Sequence, residues 1–273
     1  MNPNTTWKPK AQLVAVVLGA AIVKLYYSTA SVNQLRWILV PTTFLVELVS
    51  GARFEFESHA GYLNSDRSFV IAASCAGVNF LITAFLMLSL RKLWRDRSQK
   101  TAWRFFPVAA LFAYLTTVVA NTVRISIALQ LHEMPLELRW LSRNELHRCE
   151  GIFIYFGFLL LLFVVSEKMS YRTGSGPGSP SGQPRWGVGC DRMLPLSSEN
   201  PSGPPDRSGW FRGSFFPLLI YYATTIGIPL ANGVYHPGPI AADFWEHSLF
   251  VLLTPLLLIL PLAAFRLYRD QRG

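Results

Sequence analysis

Long apolar runs, separated by short polar segments, dominate the chain. Phe69 to Leu90 and Phe244 to Phe265 are each long enough to cross the roughly 30 Å hydrocarbon core of a bilayer as a helix, at about 1.5 Å per residue. Because these runs are continuously apolar and do not alternate with polar residues, they favour helices over a membrane barrel. Three further runs contain few polar side chains and are also predicted to span: Phe105 to Leu131, Gly151 to Ser166 and Phe215 to Leu230.

Two runs near the N-terminus are less regular. Ala11 to Tyr27 carries Lys24 near its end, where a long side chain reaches the headgroups, and it also fits an uncleaved signal anchor. Trp37 to Ser50 contains Pro41 and Glu47 and would cover only about 21 Å as a helix. Whether Trp37 to Ser50 crosses the bilayer stays open. The predicted fold class is therefore all-α, a polytopic membrane helical bundle of about 6–7 transmembrane helices.

Composition agrees with this pattern. Of the 273 residues, 51% are hydrophobic and only 15% are charged, which excludes an ordinary soluble domain. Three cysteines are too few for a disulfide scaffold. The net charge of +9 comes from basic residues placed between apolar runs, and proteins that bind nucleic acid do not distribute their cations in this way. No nucleic-acid partner is expected.

The basic residues orient the bundle instead. By the positive-inside rule, the loop after Phe69 to Leu90 and the C-terminal tail are predicted to be cytoplasmic. The alternate loops, 51–68, 132–148 and 231–246, are predicted to face outward. Lys8 and Lys10 fall outside if both N-terminal runs span, and inside if Trp37 to Ser50 does not, so the N-terminal orientation stays open. The cytoplasmic basic residues are Arg91, Lys92, Arg95, Arg97, Lys100, Arg104, Arg266, Arg269 and Arg272.

A change in composition divides the chain into three parts. Between Thr173 and Gly209 more than half of the residues are Gly, Pro or Ser. The segment therefore has too few apolar side chains for their burial to offset the conformational entropy lost on ordering. We predict a membrane domain over 1–168, a disordered cytoplasmic linker over 169–212 and a C-terminal transmembrane helix pair over 213–273. Cys190 falls inside the linker, where a solvent-accessible thiol without a role is expected.

Three reactive side chains fall at the outward ends of three consecutive membrane segments. Cys75 lies near the start of the third segment, Arg124 near the end of the fourth and His147 just before the fifth. Ionisable groups at such positions are costly and call for a partner or a function. A thiol that attacks a carbonyl needs a base, which an imidazole supplies, and the resulting oxyanion needs a fixed donor, which a guanidinium supplies. The three residues therefore predict a catalytic site.

Each of these residues taken alone has a simpler explanation. Cys75 can be a packing residue, Arg124 can extend outward to the headgroups, and His147 can be an interfacial histidine. His147 and Cys149 lie about 200° apart on a helix and cannot hold one metal ion, so no metal site is expected. His247 is an alternative base.

Short blocks around these residues resemble a known family. Ser74-Cys75-Ala76-Gly77-Val78-Asn79-Phe80, Ala120-Asn121-x-x-Arg124-Ile125 and His147-x-x-x-Gly151 are similar to the three signature blocks of the exosortase/archaeosortase family, and most like those of exosortase K. The blocks occur in the family's order and on the matching helix ends. The resemblance covers roughly Arg36 to Ser166.

The resemblance implies an integral-membrane cysteine transpeptidase with its catalytic domain in 1–168. Cys75 would be the nucleophile, His147 the base and then the acid, and Arg124 the stabiliser of the carbonyl or oxyanion, with Asn79 and Asn121 binding substrate. No cofactor is implied. Its partners would be membrane lipid and exported proteins that carry a C-terminal sorting signal, made of a short motif, a transmembrane helix and a basic tail. The implied location is the bacterial inner membrane, multi-pass, with the site facing outward.

Two features depart from the family's pattern. Ser74 stands where many exosortases have an acidic residue, and the three blocks do not extend to the last two predicted helices. Two other functions stay open from the residues alone. One is a transporter or channel with Arg124, Asn121 and Glu47 along an aqueous path, and the other is a non-catalytic membrane assembly protein in which polar side chains join helices.

Overall fold

Helices make up most of the chain, which confirms the predicted all-α class. A computed structural model describes residues 7–95, 99–133, 143–174, 209–231, 244–245 and 248–261. We number the helices in chain order, and a π-helical segment, Ala223–Gly227, joins α6 to α7. The helices are α1 Trp7–Thr29, α2 Arg36–Ser50, α3 Val78–Arg95, α4 Gln99–Glu133, α5 Arg143–Gly174, α6 Gly209–Tyr222, α7 Ile228–Ala231 and α8 Ser248–Pro261.

Four segments are long and apolar enough to cross a membrane, and they make the chain a membrane protein by length and composition. They are Lys10–Thr29, Ala73–Trp94, Trp103–His132 and Glu145–Met169. Phe215–Leu230 and Ser248–Pro261 are shorter apolar helices, and α2 has 15 residues. Four of the predicted 6–7 transmembrane helices are therefore long enough to span, and spanning by the three shorter helices stays a prediction.

The predicted third span does not begin as a helix. Residues 70–71 form a strand, Ala73–Ala76 form a 3₁₀ turn, and α3 begins only at Val78. The interruption lies at Gly77, whose φ of +69° is in the left-handed region that favours glycine. A β-carbon at Gly77 would also meet Cγ2 of Thr117 at 3.2 Å. Cys75 therefore lies on a turn ahead of α3 and not, as predicted, inside the helix.

A small antiparallel sheet occupies the segment predicted to be the first outer loop. Its strands follow one another in space in the order β1, β2, β3. Glu47 of α2 ties the sheet to the bundle, because its Oε1 accepts a hydrogen bond of 2.7 Å from the backbone N–H of Phe54. The last strand leads directly into the turn that carries Cys75. The strands are β1 Phe54–Glu57, β2 Gly61–Asn64 and β3 Val70–Ile71.

The helices pack around α3, which contacts α1, α4, α5 and α6. One buried cluster joins α3, α4 and α5 and includes Phe156, which is fully buried. The described part of 213–273 belongs to the same cluster through Tyr221 and Val251. Thr83 of α3 and Thr224 lie 2.9 Å apart, oxygen to oxygen, so a hydrogen bond also joins the C-terminal helices to α3.

Described helices overlap both ends of the segment that was predicted to be a linker, 169–212. Helix α5 continues to Gly174 and α6 begins at Gly209, so both ends of the predicted linker are helical. The helix continues past residue 168 because Met169 to Arg172 contain no glycine or proline to end it. The rest of the linker, with Cys190, lies outside the described residues, as do His247 and the residues after 261.

An arginine joins α3 to α5 at the end of the bundle remote from Cys75. Arg91 forms an ion pair with Glu167 and a hydrogen bond to the hydroxyl of Ser166. It also donates to the backbone carbonyl of Phe163 at 3.3 Å and lies 4.6 Å from the centre of the Phe163 ring. Its side chain is only 13% exposed, so the cation is held by a carboxylate and several other acceptors.

Candidate active site

The thiol of Cys75 is presented by a short turn between the sheet and α3. The backbone N–H of Cys75 donates to the carbonyl of Ala72 at 2.9 Å, which closes the turn. The hydroxyl of Tyr27 on α1 lies 3.5 Å from the carbonyl of Ala73. Cys75 itself is half-buried. The turn is therefore held by its own backbone and by α1, and its side chain retains access to solvent.

One cavity brings together the three residues that the sequence predicted to be catalytic. It has a volume of about 260 Å³ and is lined by Cys75, Arg124 and His147. These residues come from the turn, from α4 and from α5, so none is a sequence neighbour of another. The rest of the lining is Ser68, Phe69, Val70, Ile125 and Ala128.

The imidazole of His147 lies between a cation and an anion. Its Nε2 is 3.1 Å from Nη2 of Arg124, and its Nδ1 is 3.1 Å from Oε2 of Glu150. A guanidinium only donates hydrogen bonds, so Nε2 must be the accepting nitrogen. We therefore assign the neutral tautomer in which Nδ1 carries the hydrogen and donates it to Glu150.

Glu150 is a member of the site that the sequence did not single out. It follows His147 by three residues on α5, a spacing that places two side chains on one helix face. Its side chain is only 7% exposed, and no hydrogen-bond partner for Oε1 occurs among the described residues. A carboxylate three residues after a candidate base was therefore a signal in the sequence.

Arg124 is surrounded mainly by neutral groups. Besides His147, its Nη1 donates to the hydroxyl of Tyr155 at 3.4 Å, and the guanidinium carbon lies 5.5 Å from the centre of the Tyr155 ring. In the described part of the chain, Arg124 forms no ion pair and its buried Nε has no acceptor. Gly151 permits this position, since a β-carbon there would lie 3.0 Å from Nε.

Asn121 connects Arg124 to the turn of Cys75. Its amide nitrogen donates to the backbone carbonyl of Cys75, and its Oδ1 accepts a hydrogen bond of 2.9 Å from Tyr155. The residue has no exposed surface. Asn121, predicted to bind substrate, is thus placed behind the cavity, where it contacts the turn and Tyr155.

Asn79, the other predicted substrate-binding residue, is exposed and does not line the cavity. Its Oδ1 accepts a hydrogen bond of 2.7 Å from Nζ of Lys24. The same ammonium group lies 5.6 Å from the centre of the Tyr27 ring. Asn79 therefore joins α3 to α1.

Other candidate groups lie apart from this cavity. Cys149 is close to Thr254 of α8 and does not line the cavity. Among residues 7–95, 99–133, 143–174, 209–231, 244–245 and 248–261, no group of three His, Cys, Asp or Glu is placed to hold a metal ion. The functional groups at the candidate site are therefore a thiol, an imidazole paired with a carboxylate, and a guanidinium.

Comparisons of the chain with protein families, with curated proteins and with solved structures find no match. The resemblance to the exosortase/archaeosortase family rests on its three sequence blocks and stays a prediction. What the site can do is therefore argued from the geometry of the cavity.

Proposed function

We propose that the chain is a membrane cysteine peptidase or transpeptidase of exosortase type. It cleaves a C-terminal sorting signal from exported proteins at the outer face of the bacterial inner membrane and transfers each protein to an acceptor. One observation carries this proposal: Cys75, Arg124 and His147, far apart in sequence, line one cavity. The basic cluster at the opposite end of α3 supports an outward-facing cavity.

Acylation begins with transfer of the Cys75 proton to Nε2 of His147. The thiolate attacks the scissile carbonyl carbon, and the carbonyl electron pair moves onto oxygen. Arg124, which lines the cavity, stabilises this oxyanion. As the oxyanion collapses, the C–N bond breaks, His147 gives its proton to the leaving amine, and a thioester remains on Cys75.

Deacylation reverses these roles. A hydroxyl or amine of the acceptor attacks the thioester carbonyl, and its proton passes to His147. The C–S bond then breaks, and the sulfur of Cys75 takes the proton back. Glu150 stabilises the imidazolium in both halves of the reaction, because its carboxylate already accepts the hydrogen of Nδ1.

Arg124 must change partner during the reaction. In the resting arrangement Nη2 donates to Nε2 of His147, the nitrogen that has to receive the thiol proton. A developing oxyanion offers the guanidinium a charged acceptor in place of a neutral one, and charge-assisted hydrogen bonds are about twice as strong as neutral ones. As the oxyanion develops, it therefore draws the guanidinium away from Nε2, and that nitrogen takes the thiol proton in the same step.

A membrane-impermeant thiol reagent applied to intact cells tests the proposal. We expect rapid labelling of Cys75, slower labelling in His147→Ala and none in Cys75→Ala. Cys149→Ala is the matched control and should label as the unaltered protein does. In cells that make the protein naturally, mass spectrometry should find a hydroxylamine-sensitive adduct on Cys75.

Labelling of Cys75 no faster than that of Cys149 would contradict the proposal. A transporter or an assembly protein would carry no thioester on Cys75, so mass spectrometry would find no hydroxylamine-sensitive adduct. The same experiment therefore separates the enzyme from both alternatives.

A further inference from the structure

The strand β3 is an edge strand, and it borders the catalytic cavity. Among the residues that the structure describes, the sheet order β1, β2, β3 leaves β3 paired on one side only. Phe69 and Val70 line the cavity with Cys75, and Val70 is 43% exposed. Unpaired backbone groups along an edge strand are a ready template for another extended chain.

The ladder shows which backbone groups of β3 face away from β2. The N–H of Asn64 donates to the carbonyl of Phe69 at 3.1 Å, which makes these two residues a hydrogen-bonded pair. The next pair, Leu63 with Val70, must then be a pair without hydrogen bonds, because the two kinds alternate in an antiparallel ladder. The N–H and the carbonyl of Val70 therefore point away from β2, toward the open edge.

Neither of these two groups of Val70 has a hydrogen-bond partner within the described ranges. The open edge thus offers one donor and one acceptor at the cavity that holds the thiol. Two groups so placed match the carbonyl and N–H of a single residue in an extended peptide, as in other cases of strand addition to a sheet edge.

We propose that an extended peptide segment of the substrate pairs with Val70 as a fourth strand. This inference rests on the proposed peptidase function and specifies how that site takes its substrate. One substrate residue donates its N–H to the Val70 carbonyl and accepts the Val70 N–H. Recognition at this point is by main chain, so it is independent of the side chain of that residue.

The paired residue lies on the acyl side of the scissile bond, which stays on the enzyme as the thioester. Bonds on that side hold the acyl group through both half-reactions, whereas bonds on the leaving side are lost after the first. A sphere of the cavity's volume is about 8 Å across, and an extended chain covers that distance in about two to three residues. The paired residue therefore lies within about three residues of the carbonyl that Cys75 attacks.

Acetylated alanine p-nitrophenyl esters of one to four residues are the probes. Cys75 displaces nitrophenolate from each ester, and the burst of nitrophenolate gives the acylation rate. The protein carries Cys149→Ala and Cys190→Ala, so that Cys75 is the only thiol. Each ester rate is divided by the rate of alkylation by iodoacetamide, a small reagent that makes no peptide hydrogen bonds.

The ester rate, divided by the iodoacetamide rate, should rise about five- to tenfold at one peptide length. That length is the shortest ester that contains the residue paired with Val70, and one hydrogen bond contributes a factor of this order. N-methylation of that one residue should cancel the gain, and N-methylation elsewhere should not. Val70→Pro, which lacks the N–H, should reduce the gain, and Val70→Ala should keep it. If Val70→Pro does not fold, the N-methyl series on the otherwise unaltered chain still decides.

Two results, each with a normal iodoacetamide rate, would overturn the pairing. The ester rate would not rise with peptide length, or it would rise and no single N-methyl group would cancel the rise. Either result would leave the proposed thiol chemistry in place. An iodoacetamide rate at Cys75 no faster than that of a free thiol in solution would instead overturn the proposed function, and the pairing with it.

Discussion

Two arginines reach α5 from opposite ends of the bundle, and their surroundings differ. Arg91 is paired with the carboxylate of Glu167, and its other contacts are a hydroxyl, a backbone carbonyl and an aromatic ring. Arg124 contacts the uncharged imidazole of His147 and the hydroxyl of Tyr155, and its Nε has no acceptor within the described residues. Arg91 contacts a carboxylate directly, whereas Arg124 is linked to the carboxylate of Glu150 through His147.

The difference indicates different uses of the same residue type. A buried arginine that is fully paired joins two helices and has no donor left for a ligand. An arginine left with weak, neutral partners retains the capacity to bind a stronger, charged one. The comparison supports a structural role for Arg91, and it supports the proposal that Arg124 is the group that meets the oxyanion.

The largest expected effect is on the rate of Cys75 acylation, which should depend on Arg124 and not on Arg91. Arg124→Lys keeps the charge and loses the planar fork of donors, so acylation of Cys75 by the alanine ester should fall about 100-fold. Arg91→Lys should change that rate by no more than about twofold, because it lies at the other end of the bundle. The burst of nitrophenolate measures both. Equal losses in the two variants would break the comparison.

The second effect is on stability and falls on the other arginine. Arg91→Met leaves Glu167 without its cation, and we expect the free energy of unfolding to fall by about 2–3 kcal/mol. Reversible unfolding in mixed micelles measures it. Arg124→Met is the matched control and should cost less, because it removes no ion pair. A larger loss for Arg124→Met would mean that Arg124 is the main structural cation.

A third prediction sharpens the contrast at His147. Glu150→Gln removes the negative charge that faces Nδ1, so the imidazolium is less stabilised and alkylation of Cys75 by iodoacetamide should slow about tenfold. Glu145→Gln, nearer the start of the same helix, is the control. A rate in Glu150→Gln equal to that of the unaltered protein would show that the carboxylate does not act through His147.

The smallest expected effect concerns the space that admits Arg124. A β-carbon at Gly151 would lie 3.0 Å from Nε, so Gly151→Ala should displace the guanidinium and slow ester acylation about fivefold. Gly157→Ala on the same helix meets nothing within 4 Å and should stabilise the chain by about 0.5–1 kcal/mol. Ester acylation and thermal unfolding test the pair. If the two variants had the same acylation rate and the same stability, Gly151 would not be needed to make room for the Arg124 side chain.

Hydrophobic pattern was enough to predict the helical class and the four long segments, because burial in a bilayer requires continuous apolar runs. The same pattern missed the break at Gly77, since an apolar sequence does not show where the backbone turns. It also missed the sheet, although Phe54 to Glu57 alternate apolar and acidic residues, a period typical of a strand.

The candidate site was predicted in its reactive groups but not in its supporting groups. Cys75, Arg124 and His147 were recognisable because ionisable or nucleophilic side chains are rare beside apolar runs. Tyr155 lies within such a run and looks like an ordinary aromatic residue, so its contacts with Arg124 and Asn121 were not foreseen. Contacts of this kind depend on packing between helices, which one-dimensional spacing does not encode.

The hydrogen bond between Thr83 and Thr224 has a consequence for biosynthesis. Residues that complete the packing around α3, including Tyr221 and Val251, are translated after the first five helices. The thiol of Cys75 is translated well before them. A nascent protein that has inserted its early helices therefore contains Cys75 before this face of α3 is covered, and the packing around α3 is complete only once the C-terminal helices arrive.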